Sequence, residues 1–134
     1  MRIQYEGLAL PVSDKFSQAL SEYLIQQTHG DDAITLNFKD PTYSAEHGGF
    51  HPVEIRLVKD NQLWHIQYIT DFCYVGSGYN AELVKELDFD FSAGLFQSLF
   101  GLVPIEQSRD IYQIWEGNFL HYWKELNVFS ITVS

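Results

Sequence analysis

The twenty-one residues from Asn37 to Leu57, NFKDPTYSAEHGGFHPVEIRL, hold the densest set of groups in the chain able to do chemistry. Glu46, His47 and His51, with Asp40 nearby, offer the carboxylate and imidazole donors that coordinate divalent ions. Tyr43, Ser44, Glu46, His47 and His51 also supply actors for acid-base or nucleophilic catalysis, since imidazole titrates near neutral pH. The spacing specifies neither chemistry. His47 and His51 stand four apart, but Gly48, Gly49 and Phe50 between them and Pro52 after them oppose the helix of a helical zinc motif. No GxSxG elbow fixes a hydroxyl for a histidine to activate. Asp40-Pro41, Gly48-Gly49 and Pro52 are instead explained by a shaped connection between two strands. Asp40, Tyr43, Ser44, Glu46, His47, Gly48, Gly49, His51 and Glu54 therefore form a candidate binding or structural loop. No catalytic residue, metal or cofactor is assigned.

Other groups carry weaker signals. Glu82 and Glu86 share a face if NAELVKEL is helical, but Lys85 beside them suits an ordinary charged surface. Asp88 and Asp90 fall on one face if LDFDF is extended, with Phe89 and Phe91 directed inward. The glycines of GSG, Gly76 and Gly78, lack the rest of any nucleotide-binding series. Cys73, the lone cysteine, excludes an intrachain disulfide, and its apolar setting suits a buried structural thiol. His29 reads as a helix-terminal residue, His65 as a solvent-facing strand residue, and His121 as part of a mixed helix face.

Periodicity supplies the elements that must position these groups. Ser13 caps a helix predicted from about Asp14 to Thr28, with Phe16, Leu20, Tyr23 and Leu24 as its apolar stripe and Gly30 as its stop. Ile34, Leu36 and Phe38 alternate on a strand ending near Lys39. Val53, Ile55 and Leu57 do the same on the next strand, and DNQ turns the chain into LWHIQYITDFCYV, where Trp64, Ile66 and Tyr68 alternate. So short a link requires antiparallel pairing. A short helix is expected at NAELVKEL, capped by Asn80 with Leu83 and Leu87 inward, and the segment after LDFDF is left without an element. A final helix from Ser108 to Leu126 places Ile111, Trp115, Tyr122 and Leu126 at compatible spacing, interrupted by Gly117. The terminal NVFSITVS returns to the sheet. The expected fold is one α+β domain over residues 1–134, an antiparallel sheet packed with N-terminal and C-terminal helices.

Composition bounds the partners. Eighteen acids against eight Lys and Arg give a net charge of -10, a field that repels nucleic acid and anionic membranes while attracting basic groups. No signal core or spanning apolar run is present, so the expected location is cytoplasmic. Ten Phe, eight Tyr and three Trp provide ample material for a core and for contacts. Tyr112, Trp115, Phe119, Tyr122 and Trp123 occupy more than one face of the final helix, making them the candidate interface with a protein partner or a second copy of the chain.

In order, DPTYSAEHGGFHPVEI, YITDF with Tyr74 beyond it, LDFDF and YQIWEGNFLHYW together resemble DUF2787, an uncharacterised bacterial family. The resemblance extends from about Ala33 to Trp123. It implies a compact α+β domain and brings no reaction, cofactor or catalytic residue. The leading functional expectation is a noncatalytic protein-interaction module. Its alternative is a small-molecule enzyme using the 40–54 loop, with His47 or His51 as acid-base group and Glu46 as its orienter or electrostatic partner.

Overall fold

The computed structural model describes residues 2–27 and 30–134; the expectation for His29 and the predicted helix end at Thr28 lie outside them. Helix α1 runs Asp14–Ile25, and the Ser13 hydroxyl accepts the Phe16 N–H at 3.1 Å, as its capping role requires. Phe16, Ala19, Leu20 and Leu24 are buried along it. Strands β1 (Ala33–Lys39), β2 (Val53–Asp60) and β3 (Leu63–Val75) pair antiparallel in succession. Asn61 and Gln62 both take positive φ, 50° and 68°, the backbone twist that a two-residue hairpin link demands.

NAELVKEL is not a helix: Glu82–Asp90 forms β4, paired with β3 from Tyr68↔Asp90 to Val75↔Glu82. So short an apolar segment cannot sustain an isolated helix, whereas the long β3 offers it a full row of backbone partners. Leu83 is consequently exposed, and Leu87 packs against the core from its margin. The alternation in β3 also breaks. A register shift opposite Arg56 and Leu57 rotates the strand, so that Trp64 and Ile66 are buried on the core side and Ile69, Asp71 and Cys73 continue it. Tyr68 emerges on the other face, donating to Glu54. Burial and that acceptor push its phenol up to about 12.

The unassigned segment becomes a hairpin, β5 (Leu95–Ser98) and β6 (Gly101–Pro104), and the terminal strand β7 (Ser130–Val133) pairs with β1. The sheet order is β6-β5-β4-β3-β2-β1-β7. Helix α2 (Arg109–Leu120) continues as a wider π-type turn, His121–Glu125. It buries Tyr112, Trp115, Glu116, Phe119, Leu120 and Trp123, while Ile111 and Leu126, expected on its inner stripe, are exposed. The large rings at i, i+3, i+7 and i+11, Tyr112, Trp115, Phe119 and Trp123, define the inward face instead of the aliphatic positions. Phe38 meets Phe119, Trp123 and Phe129 edge-on, and Phe16 joins Trp115 from α1, so both helices cover one sheet face. The opposite face is polar, with Arg56 donating to Thr35 and Thr70 to Asp88, each at 2.9 Å.

Buried Glu116 joins the two helices: its Oε2 accepts the Tyr112 hydroxyl at 2.7 Å and the Ser13 N–H at 3.0 Å. Burial pushes the Tyr112 phenol far up, with the Glu116 charge adding to it. Glu116→Ala leaves both donors without their acceptor and is expected to cost about 2–3 kcal/mol. Urea unfolding measures this, and a loss under about 0.5 kcal/mol, the level of ordinary surface substitutions, contradicts the role.

Candidate functional site

Asp40 organises the 40–52 loop. Its Oδ1 accepts the Thr42 N–H and hydroxyl at 2.9 and 2.7 Å, and its Oδ2 accepts the Phe50 N–H at 3.0 Å. These hydrogen bonds, Phe50 foremost, hold its carboxyl below the usual range. Ser44 and Gly48 close a small bridge by exchanging backbone hydrogen bonds, and the Ser44 hydroxyl accepts the His47 N–H. Tyr43 stacks on Tyr74 at 5.2 Å and accepts its N–H at 3.2 Å, fixing the loop to the end of β3. Gly49 has φ +136°, and a Cβ there would meet Asp40 Oδ2 at 2.9 Å and Tyr43 Cα at 3.0 Å. Its absence of a side chain is a geometric requirement.

The loop thereby sets Phe50 against Tyr122, ring centroids 4.6 Å apart, and closes one side of a pocket of about 320 Å3. Phe50, Trp115, Phe119, Tyr122 and Phe129 supply aromatic wall, and His51, Asp71 and Asn118 the polar lining. Asp71, mostly buried, accepts the Trp115 indole N–H on Oδ2 at 2.9 Å and meets His51 Nδ1 through Oδ1 at 2.9 Å. Glu86 Oε2 lies 2.7 Å from the same Nδ1. A second register shift, between Asp71 and Phe72 opposite Leu87 and Lys85, makes Glu86 the extra residue of a bulge. Such bulges re-aim a side chain; here it joins Asp71 at the histidine.

The hydrogen bond to Asp71 raises the His51 pKa above its ordinary 6.5; partial burial opposes the shift, and the Asp71 and Glu86 charges add to it. Burial, then the same two charges, pushes the Cys73 thiol up, in keeping with the structural role read from its setting.

The expected site residues are thus divided. Among the loop candidates, His51 reaches the pocket and Gly49 borders it. Asp40, Tyr43, Ser44 and Gly48 shape the backbone, and Glu54 engages Tyr68 on the opposite sheet face. Glu46 and His47 are both exposed and 3.9 Å apart, while the acids that meet His51 are Asp71 and Glu86. Glu46 therefore does not orient His51. Among the interface candidates, Tyr112 and Trp123 are buried in the chain's own core, Trp115 and Phe119 are buried except where they line the pocket, and Tyr122 is half-exposed. The sequence reading did not nominate Asp71 or Glu86 for the site. The setting of Asp71 in YITDFCY, where only Thr70 is otherwise polar among apolar and aromatic residues, is the signal in the sequence that points to a buried acid here.

A seven-stranded antiparallel sheet with two helices on one face and a loop-closed pocket defines a small, compact α+β fold. The chain belongs to the DUF2787 family, proteins of unknown function, whose model matches residues 14–134, beyond the span marked by the sequence motifs. It is similar to the hypothetical protein VC0508 from the Vibrio cholerae VSP-II pathogenicity island, with 37% identity, TM-score 0.86 and coverage of 98% of this chain and 99% of that one. It is also similar to the conserved hypothetical protein VC1805 from pathogenicity island VPI-2 of Vibrio cholerae O1 biovar eltor, with 38% identity, TM-score 0.80 and the same coverages. VC1805 is described as sharing structural homology with the human P32 protein. No curated protein matches the chain. No helix among the described residues is long and apolar enough to cross a membrane.

Two outcomes test this geometry. Gly49→Ala is expected to cost about 1–3 kcal/mol and Gly48→Ala, at φ +70° with nothing near its missing Cβ, only about 1 kcal/mol; equal losses on urea unfolding contradict the close approach. The His51 contribution to stability is complete below its unfolded value near 6.5 and disappears as pH rises through the raised native value. The melting temperatures of the wild type and His51→Gln should therefore converge from low to high pH; a gap that widens with pH contradicts the ion pairing.

Proposed function

We propose that the protein is a noncatalytic interaction module, acting in the bacterial cytoplasm, whose pocket receives a basic side chain from a protein partner. The supporting observation is the charge imbalance at the pocket: one imidazole faces two carboxylates, and no Lys or Arg lines the cavity among the described residues. Even with His51 protonated, the corner keeps an excess negative charge. Aromatic walls suit the alkyl stem and cationic head of Lys or Arg, through packing and cation-π attraction. The net charge of -10 draws such a partner in and disfavours polyanions. The buried Cys73 accords with a reducing compartment.

A second reading has one observation in its favour: His51 Nδ1 is held by a carboxylate at the pocket's edge, the orientation a general base needs. Among the described residues the pocket lining includes no Ser, Thr, Cys or Lys, so the noncatalytic reading is preferred. Titration calorimetry with arginine-bearing, lysine-bearing and acidic peptides distinguishes these readings. Basic peptides should bind, and Asp71→Asn or Tyr122→Ala should weaken them about tenfold, consistent with losing a charge-assisted contact or an aromatic wall. Binding indifferent to peptide charge, or turnover of a small molecule that disappears in His51→Ala, overturns the interaction reading.

A further inference from the structure

We propose that His51, Asp71 and Glu86 form a binding site for a divalent transition-metal ion, and that the ion and a partner's basic side chain compete for it. The three donor atoms, one imidazole nitrogen and two carboxylate oxygens, lie within 4.8 Å of one another. Nδ1 stands 2.9 Å from Asp71 Oδ1 and 2.7 Å from Glu86 Oε2. Ligands about 2.0–2.1 Å from a tetrahedral zinc ion are spaced roughly 3.4 Å apart, so the two contacts to His51 need to open by roughly 0.5–0.7 Å and the two carboxylates to draw together by at most about 1.4 Å, within the reach of side-chain rotation.

Three features make this more than a meeting of acids. A single Nδ1 hydrogen faces two carboxylates and cannot serve both fully, which leaves unbalanced acceptor capacity that a cation satisfies. Asp71 is fixed by Trp115, whose indole N–H occupies its other oxygen at 2.9 Å, the kind of outer contact that orients a metal ligand. The donors are also anchored by strands: His51 precedes Pro52 at the entrance to β2, Asp71 lies within β3, and the bulge in β4 supplies Glu86. The side chains of His51 and Glu86 each retain about 36% exposure, giving an ion an entry path and open coordination positions. Mixed nitrogen and oxygen donors suit zinc or manganese better than the all-oxygen environments preferred by calcium.

The competition rests on the proposed capture of basic groups; metal binding itself does not. An ion at the cluster neutralises the charge that attracts Lys or Arg, so the metal-loaded module should release its partner. The full chain, stripped with chelator and dialysed, should take up one equivalent of Zn2+ in titration calorimetry and show a raised melting temperature. His51→Gln and Glu86→Gln should weaken uptake by about tenfold or more, and Trp115→Phe by about tenfold. His121→Ala, which breaks the exposed pair with Glu125 on the far turn of α2, should leave it unchanged. Circular dichroism establishes that each variant is folded, and Glu86→Gln on the β4 bulge tests the cluster without removing the histidine. No zinc uptake by the wild type, uptake unaffected in both His51→Gln and Glu86→Gln, or uptake lost in His121→Ala overturns the metal site. If zinc binds but leaves basic-peptide affinity unchanged, the competition is overturned. Absence of peptide binding to the metal-free wild type overturns the interaction reading and its competition, while zinc uptake supports or overturns the metal site on its own.

Discussion

The buried contact between the Trp115 indole and Asp71 is the constraint around which the site is built. An indole N–H inside a protein needs an acceptor, and a carboxylate taken out of water needs donors. Each satisfies the other at 2.9 Å, and in doing so fixes the rotation of α2 relative to β3. Phe119 stacks on Trp115, and the aromatic ladder carries that placement onward to Phe38, Trp123 and Phe129. The second oxygen of Asp71 is then presented to His51. One interaction thus joins the core to the polar corner of the pocket.

The same logic accounts for where the acids went. The excess negative charge is largely a surface property, but Asp71, Asp88 and Glu116 are buried, and each has specific partners. Glu116 joins α1 to α2, Asp88 accepts Thr70 and lies 3.6 Å from Lys85, and Asp71 serves Trp115 and His51. Asp71 also faces the pocket, where Glu86 approaches its histidine. The helix contact and the pocket lining therefore meet at one carboxylate. A substitution at Asp71 alters both the seating of α2 and the charge lining the pocket.

The loop that first drew attention contributes through shape. Asp40 folds it from within, Gly49 provides space for that carboxylate, and Tyr43 holds it on Tyr74. Its most conspicuous acid-base pair, Glu46 and His47, remains at the surface, where water screens it. His51 differs because Pro52 and β2 carry it back toward the sheet. There the Phe72 N–H meets the Pro52 carbonyl at 2.9 Å, adjacent to Asp71.

The sequence by itself determined the capped first helix, the three successive antiparallel strands, the final helix and the loop between β1 and β2. These features follow from local signals: Ser13 before an apolar stripe, period-two alternation in AITLNF and VEIRL, and a link too short for a crossover. The family was legible too, through the order of its motifs. Only the tertiary structure decided that NAELVKEL would be a strand, because the partner row on β3 is supplied by another part of the chain. It also decided which aromatic residues would be core, since Trp115 and Phe119 look alike on a helix until the sheet covers one face. Asp71 and Glu86 could not be joined to His51 from spacing. Each lies far along the chain from the histidine, and the bulges in β3 and β4 that bring them together are departures from the very alternation by which strands are read.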